Sequence, residues 1–505
     1  MRTSRRQRGL AAALLAVFAS VLFAALLAAS FAAPATRLAR DRASDRALAA
    51  AREALIAHAT ARPIDRVVGP GYLPCPDLDD DGWAEATCGS MDGSLGQASR
   101  LGRLPWKTLG LPDLRDGAGE RLWYAVSSRY KGLLNCTLSP ACLDMSPESA
   151  LGTITVRDPT GAIVHDGAAA DASRAHAGGA LAVLFAPGPV LDRHLATGEW
   201  RTQRRDCDGA CGASGQCLTR PASLTPKCHP ANYLDAAPGA GPPREDNADF
   251  VDRNDAAGRS ANRDGFIRGP VFRPDGSIAV NDRLAVIGYD DLQPRLARRV
   301  AEEAARCLRA GAVAAGNAVR YPWAAPLCRS LAPDAALARA GEPGTRFGRL
   351  PDPLPAEHLP EEQCAIAGGG ALAWWSFWHR YVFYAVAPDF DPASPGTGSC
   401  ATDGACLHLV DGAGTTIAGQ RHFALIVAGA PLAAASQRRD ASRALDAANW
   451  LEGGRAALEG LNPDPAAPQC ERVEGGARCP APGPCARVAL SPRGPLSNDV
   501  VLAHP

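Results

Sequence analysis

The first 60 residues combine a long apolar run with an amphipathic continuation. Residues 10–33 contain no charged side chain, and at about 1.5 Å per residue they would extend roughly 36 Å as a helix, enough to cross a bilayer core. Over 37–59 the composition stays helix-forming, with Leu48, Ala51 and Leu55 on one face among charged side chains. The pattern predicts a transmembrane helix that continues as an amphipathic helix.

Four arginines precede the apolar run, at positions 2, 5, 6 and 8. Positive charge on that side predicts a cytoplasmic N-terminus, a single pass through the membrane and a location outside the cytoplasm for the rest of the chain. One alternative is a cleaved signal peptide, with Ala33-Pro34-Ala35 as its small-x-small site, although such an apolar region spans only about 7–15 residues. A plain uncleaved anchor is the other alternative.

Seven short phrases occur twice, in the same order, in the rest of the chain. They are GRLP (102–105, 348–351), RLWYAV and YVFYAV (121–126, 381–386), Cys-x5-Cys (136–142, 400–406), TITVRDPTGAI and LHLVDGAGTTI (153–163, 407–417), ALAVLFAPGPV and FALIVAGAPL (180–190, 423–432), ANYLD and ANWLE (231–235, 448–452), and VNDRLAVI and SNDVVLAH (280–287, 497–504). Each copy is too long for a solenoid repeat. The order therefore predicts two tandem modules, residues 61–289 and 290–505.

Each module begins with a helix and continues as short β-rich runs. In the second module, residues 290–308 place Leu292, Leu296, Val300 and Leu308 on one stripe of a helix. Gly, Pro and Asp bound the β-rich runs, which is typical of antiparallel strands. The predicted fold class is α+β, with a helix laid across an antiparallel sheet in each module.

A short basic leader (1–9) ends in Gly9, directly before the helical region (10–60). This arrangement resembles the type IV pilins and type II secretion pseudopilins, and helix-plus-sheet modules are similar to the heads of that family. The resemblance implies that a prepilin peptidase cuts between Gly9 and Leu10. It also implies other pilin or pseudopilin subunits and inner-membrane assembly proteins as partners. The location that it implies is a single pass through the inner membrane, with both heads in the periplasm. Members of the family usually have a glutamate at the fifth position of the mature chain. That position is Leu14 here, and the absence of the glutamate favours a minor or tip-type subunit.

The chain is electrically balanced and rich in cysteine. Lys+Arg and Asp+Glu number 53 each, so no overall field favours a nucleic-acid partner. Sixteen cysteines, many at short spacings, indicate disulfides formed in an oxidising compartment, with a zinc site over 207–229 as the alternative for one cluster. The candidate pairs are Cys75–Cys88, Cys136–Cys142, Cys307–Cys328 and Cys400–Cys406.

One acidic segment has the spacing of a calcium loop. The candidate ligands are Asp77, Asp79, Asp81 and Glu85. Carboxylates at alternate positions followed by a glycine gather oxygen ligands around a hard cation. Cys88 stands where a bidentate glutamate is usual, so we expect Ca²⁺ to bind weakly. The alternative is a solvated acidic turn without a metal, and no other cofactor is predicted.

Sequence signatures of enzymes are nearly absent. Ser128 and Lys131 match the S-x-x-K motif of penicillin-binding enzymes, but neither S-D-N nor K-T-G accompanies them. The sequence therefore predicts a structural rather than a catalytic protein, and the resemblance implies a minor or tip subunit of a type IV pilus or type II secretion system. The alternatives are a membrane-anchored periplasmic binding or adhesion protein and a secreted hydrolase.

Overall fold

The structure is a computed structural model that covers the 505-residue chain. The residues that it describes are 18, 36–64, 68–89, 100–131, 144–167, 178–194, 200–205, 228–238, 245–248, 265–315, 318–325, 340–341, 343–358, 364, 366, 374–395, 398–400, 405–410, 415–432, 437, 439, 449–451, 487–489 and 499–505.

Two long helices and one short helix occur in this part of the chain. Helix α1 comprises residues 36–61, α2 is Tyr289–Ala310 and α3 is Trp375–Trp378. At the start of α2, Asp291 Oδ2 accepts a hydrogen bond of 2.8 Å from Gly288 N, and the first-turn aspartates complement the helix dipole. Short 3₁₀ turns lie at Pro230–Asn232, Ala356–His358, His379–Tyr381 and Pro388–Phe390.

The strands are short, as the frequent Gly and Pro residues predict. Those before α2 are β1 (Leu101–Arg103), β2 (Trp123–Val126), β3 (Val156–Arg157), β4 (Ile163–His165), β5 (Ala182–Ala186), β6 (Asp192–His194), β7 (Trp200–Thr202), β8 (Phe266–Ile267), β9 (Val271–Phe272), β10 (Ile278–Val280) and β11 (Arg283–Ile287). Those after α2 are β12 (Val313–Ala315), β13 (Ala318–Arg320), β14 (Phe347–Arg349), β15 (Val382–Val386), β16 (Leu407–Val410), β17 (Thr416–Arg421), β18 (Phe423–Val427), β19 (Arg487–Ala489) and β20 (Val500–His504).

Two four-stranded antiparallel sheets carry most of the buried strands. Their orders are β1-β2-β5-β11 and β14-β15-β18-β20. The two sheets also agree in register, because Gly102 pairs with Tyr124 in the first and Gly348 pairs with Tyr384 in the second. Both tyrosine hydroxyls donate to a proline carbonyl at 3.1 Å, that of Pro74 or of Pro322.

Each sheet also buries an arginine against aromatic rings, one residue after the paired glycine. A guanidinium on an aromatic face is attracted by the ring's quadrupole, which partly offsets the loss of hydration. Burial lowers the pKa of Arg349 to about 9 and lowers that of Arg103 as well. The guanidinium-to-centroid distances are 4.4 Å for Arg103–Trp123, 4.1 Å for Arg103–Tyr233, 4.6 Å for Arg349–Phe383 and 4.5 Å for Arg349–Trp450.

One hydrophobic core contains residues of both predicted modules. It includes Leu55 of α1, Leu184 of β5, Leu296 of α2 and Leu425 of β18. Helix α2 packs against β18 and β20 and also reaches the other module, where Gln293 Nε2 donates to the carbonyl of Met145 at 3.2 Å. Because the sheets share one core, the boundary between the modules stays a prediction.

The predicted α+β fold, with a transmembrane helix followed by two pilin-like heads, is wrong. The described residues form a mixed α/β structure with seven separate sheets and three helices. Two of these sheets contain a parallel pair, β3 with β8 and β16 with β19, although the sequence predicted antiparallel strands. In each parallel pair the partner lies far along the chain, so the local pattern of turns did not reveal strand direction.

The predicted single-pass location in the inner membrane is also corrected. Within the described part of the chain, no helix is both long and apolar enough to cross a bilayer, because α1 and α2 carry Arg, Asp and Glu beside their buried stripes. The predicted span at 10–33 lies outside the described residues except for Phe18, and so does the predicted cleavage site at Gly9 and Leu10.

Every cysteine in the described ranges belongs to a disulfide. The sequence predicted that Cys307 pairs with Cys328, but the structure joins Cys307 to Cys364, 57 positions along the chain. Cys328, Cys136 and Cys142 lie outside the described residues. The disulfides with both partners described are Cys75–Cys88, Cys307–Cys364 and Cys400–Cys406.

The shared core predicts the effect of truncating the α2 stripe. Leu292 is fully buried, so Leu292→Ala should lower the free energy of unfolding by about 2–5 kcal/mol, and both modules should unfold in one transition. Denaturant unfolding followed by tryptophan fluorescence and by circular dichroism measures both effects. Leu38→Ala, at a site where the side chain is 49% exposed, is the matched control and should change stability by less than about 0.5 kcal/mol. Equal losses in the two variants would contradict the packing described here.

Candidate metal centre

The acidic segment is a loop held against the edge of the first sheet. A disulfide between Cys75 and Cys88 closes it, with the two Cα atoms 5.7 Å apart. Its backbone continues the sheet, because Asp77 N donates to Arg103 O at 3.0 Å and Arg103 N donates to Asp77 O at 2.8 Å. The loop is therefore fixed at its ends and along one side.

Three of the four predicted ligands come together in this loop. Asp77, Asp79 and Glu85 each present one carboxylate oxygen, and these oxygens lie within 4.8 Å of one another. Asp77 is 1% exposed and Glu85 is 8% exposed, while Asp79 is half-buried. Grouped, largely desolvated carboxylates offer the oxygen ligands that a hard cation prefers, and burial makes their unneutralised charge costly.

Backbone N–H groups of the loop donate hydrogen bonds to two of these carboxylates. Asp77 accepts hydrogen bonds from Asp81 N at 3.3 Å and from Gly82 N at 2.7 Å, and Glu85 accepts one from Leu78 N at 3.2 Å. Gly82 has φ 88°, and a Cβ there would lie 2.7 Å from the indole nitrogen of Trp106. Only glycine fits this turn.

Asp81, the fourth predicted ligand, does not join the cluster. Its carboxylate accepts a hydrogen bond from Trp83 N at 2.7 Å, and its carbonyl accepts one from Lys107 Nζ. The alternate spacing wrongly predicted Asp81 as a ligand. The chain turns between Asp79 and Gly82, so the carboxylate of Asp81 does not point the same way as that of Asp79.

Sequence reasoning missed the part played by Asp80. This residue has φ 62°, a conformation in which aspartate is enriched, and it pairs with Arg121 at 2.8 Å and Arg103 at 3.9 Å. Asp80 is the middle of three consecutive aspartates, and their spacing does not distinguish a metal ligand from a residue at which the backbone turns. Asp80 ties the loop to the arginines of the sheet edge.

The electrostatics of the loop centre on Asp77. Burial raises the pKa of Asp77 to about 7, the hydrogen bond from Gly82 N lowers it, and the charges of Asp80 and Asp81 raise it. A cation bound here would therefore compete with a proton for this carboxylate near neutral pH, since either one relieves the cost of the buried negative charge.

The donor set fits a weakly held hard cation. Calcium takes 6–8 oxygen ligands, and the three carboxylates supply part of that number. Hydrogen bonds from Asp81 N, Gly82 N and Leu78 N would orient the Asp77 and Glu85 oxygens without a metal. The same bonds also fit the alternative of an acidic turn whose carboxylates are hydrogen-bonded by its own backbone without a metal. The identity of any bound cation therefore stays a proposal.

The S-x-x-K pair lies inside the core. Ser128 is 1% exposed and Lys131 is fully buried. The pair is better explained by packing than by catalysis.

Comparison with known proteins finds no matching family model, no similar curated protein and no similar solved structure. The likeness of the N-terminal region to pilins therefore remains a resemblance.

We predict that Ca²⁺ stabilises the wild-type protein through this loop. With a dissociation constant of about 0.1–1 mM, 10 mM CaCl₂ should add roughly 1–3 kcal/mol at pH 8, and Asp79→Asn should remove most of that gain. Thermal unfolding with CaCl₂ or EDTA measures it. Asp158→Asn, in an exposed turn whose aspartate also accepts backbone hydrogen bonds, should keep the full gain. A gain that survives Asp79→Asn would exclude the loop as its source.

We also predict a pH dependence of stability in EDTA. The folded pKa of Asp77 is raised to about 7 from its usual 3.8, so its favourable contribution is complete below about pH 4 and is lost as pH rises through 7. Asp77→Asn should make the decline in stability over pH 4–7 shallower, as measured by chemical unfolding at a series of pH values. Asp158→Asn should not, because hydrogen bonds from Thr160 lower the pKa of Asp158. Parallel curves for wild type and Asp77→Asn would show that this carboxyl does not titrate as described.

Proposed function

We propose that the protein is an exported structural subunit that assembles with pilin- or pseudopilin-type partners as a minor or tip subunit. The proposal depends on the resemblance of the basic leader and the predicted N-terminal helix to those of pilins, and not on the corrected fold class. Its partners would be subunits with similar N-terminal helices, and a prepilin peptidase would process the leader before Leu10.

The observation that carries this proposal is the division of α1 into an open part and a docked part. Residues 36–40 are all exposed, whereas from Ser44 onwards one face is buried. Arg52 Nε donates to the carbonyl of Val286 in β11 at 3.0 Å and so fixes the docked part. The exposed turns offer a helical surface to a neighbouring subunit, with Leu38 49% exposed.

The disulfides support export. All described cysteines are oxidised, and proteins of reducing compartments rarely keep such bonds. Cys75–Cys88, Cys307–Cys364 and Cys400–Cys406 are distributed over both modules, so the oxidised cysteines are not confined to one loop.

The rigid connection between the modules supports a structural role. Arg439 Nη1 of the second module lies 2.7 Å from Glu148 of the first. Arg52 of α1, which precedes the first module, lies 2.5 Å from Asp291 of the second. A stiff two-module block is difficult to repeat along a helical filament, because each subunit must leave room for the next. An end position has no such requirement, which favours a minor or tip subunit.

Site-specific photo-cross-linking in the native host tests this proposal. With p-benzoylphenylalanine in place of Leu38, we expect covalent adducts to other subunits, because the open turns of α1 would meet them. Ile417 is 56% exposed on β17 and provides the control, at which we expect no such adduct. Mass spectrometry identifies the captured proteins.

Intact mass completes the experiment. A mature chain that begins at Leu10, together with adducts only at position 38, would support the subunit role. A chain that begins near Thr36, or equal adducts at both positions, would contradict it.

A further inference from the structure

A groove of about 800 Å³ opens between the first turns of α1 and the surface of the first module, formed by residues other than those of the acidic loop. Residues of α1 that line it recur at helical spacing, at 37, 40, 41, 44 and 45, so one face of the helix forms one wall. Small-molecule sites in proteins typically measure about 300–1,000 Å³. The groove is therefore large enough for an organic ligand.

The opposite wall is largely apolar. Leu191, Ile278 and Leu284 line it together with Pro189 and Pro270. Leu284 is buried, and Leu191 and Ile278 are half-buried. An aliphatic or aromatic body placed here would cover apolar surface that water now contacts.

The described residues that line the groove carry more positive than negative charge. Four arginines line it against two aspartates. Arg283 forms ion pairs with both aspartates, at 3.0 Å from Asp41 and 3.0 Å from Asp45. Within the described part of the chain, Arg37, Arg40 and Arg268 form no ion pair. These three guanidinium groups are thus available to an anion.

The loop at one end of the groove is held in place by side chains. Gly188 N donates to Asp116 Oδ2 at 2.7 Å, Arg205 Nη1 donates to Gly188 O at 3.0 Å, and Asn281 Nδ2 donates to Pro189 O at 2.8 Å. With its loop already bonded, the site loses little conformational freedom when a ligand enters.

The helical wall is held equally closely. Gly117 N donates to Ser44 Oγ at 2.9 Å. A Cβ at position 117 would lie 2.1 Å from the carbonyl oxygen of Arg40, so a glycine is required for this approach. This wall is therefore fixed to the first module by a hydrogen bond and by close backbone contact.

We propose that this groove binds a small amphiphilic organic anion, with its apolar body against Leu191, Ile278 and Leu284 and its carboxylate or phosphate near Arg37, Arg40 and Arg268. Guanidinium groups suit both head groups, because their forked donors match two acceptor oxygens at once. This binding activity goes beyond the structural role proposed above and does not depend on it.

Calorimetric titration of the full-length protein with octanoate tests the proposal. We expect octanoate to bind and 1-octanol and octylammonium to bind at least about tenfold more weakly, because a neutral or positive head group cannot form a charge-assisted hydrogen bond with a guanidinium. Butyrate should also bind more weakly, since it covers less of the apolar wall. A parallel titration with octyl phosphate shows which head group the arginines prefer.

Two variants connect the binding to the groove. Arg268→Gln and Arg40→Gln should each weaken octanoate binding about tenfold, and both sites are exposed, so folding should be retained. The matched control is Arg298→Gln on α2, an exposed arginine that pairs with Glu302 at 3.0 Å, and it should bind as wild type does. Absence of binding by octanoate and octyl phosphate, equal affinity for 1-octanol, or unchanged affinity in both groove variants would overturn the proposal.

Discussion

The structure depends on the burial of one stripe of α2. Leu292, Leu296 and Val300 are fully buried in a core shared by both predicted modules, so the helix is packed on more than one side. The same helix forms polar contacts with the first module, where the hydroxyl of Tyr289 donates to Pro147 O at 3.1 Å. Such packing couples the modules, because separating either one from α2 would expose apolar surface that both modules now bury.

The second organising feature is a buried arginine that occurs once in each four-stranded sheet. Arg103 and Arg349 occupy corresponding strands, and each guanidinium lies on aromatic rings contributed by a distant loop as well as by the neighbouring strand. Desolvating a guanidinium is costly unless its charge is compensated, and aromatic faces supply part of that compensation. The loops that carry Tyr233 and Trp450 are therefore held to their sheets by a directional contact as well as by apolar packing.

The acidic loop and the groove are separate sites in the same module, and one turn contacts both. Arg121 pairs with Asp80 of the acidic loop at 2.8 Å, and Asp116 accepts the hydrogen bond that holds Gly188 beside the groove. The loop gathers negative charge and the groove gathers positive charge, which allows this module to attract a cation and an anion at different places. The proposed subunit role concerns α1, whose exposed turns also form one wall of the groove.

The sequence by itself determined what depends on local periodicity and composition. The α2 stripe follows from helical spacing, the acidic loop from alternate carboxylates before a glycine, and the oxidised cysteines from their number and clustering. Tertiary structure decided what joins distant positions. It paired Cys307 with Cys364, placed β8 parallel to β3, turned Asp81 away from Asp77, and brought Arg37 to the same groove as Arg268. Spacing along the chain constrains only near neighbours, whereas these contacts depend on how the elements pack, and so no local pattern contains them.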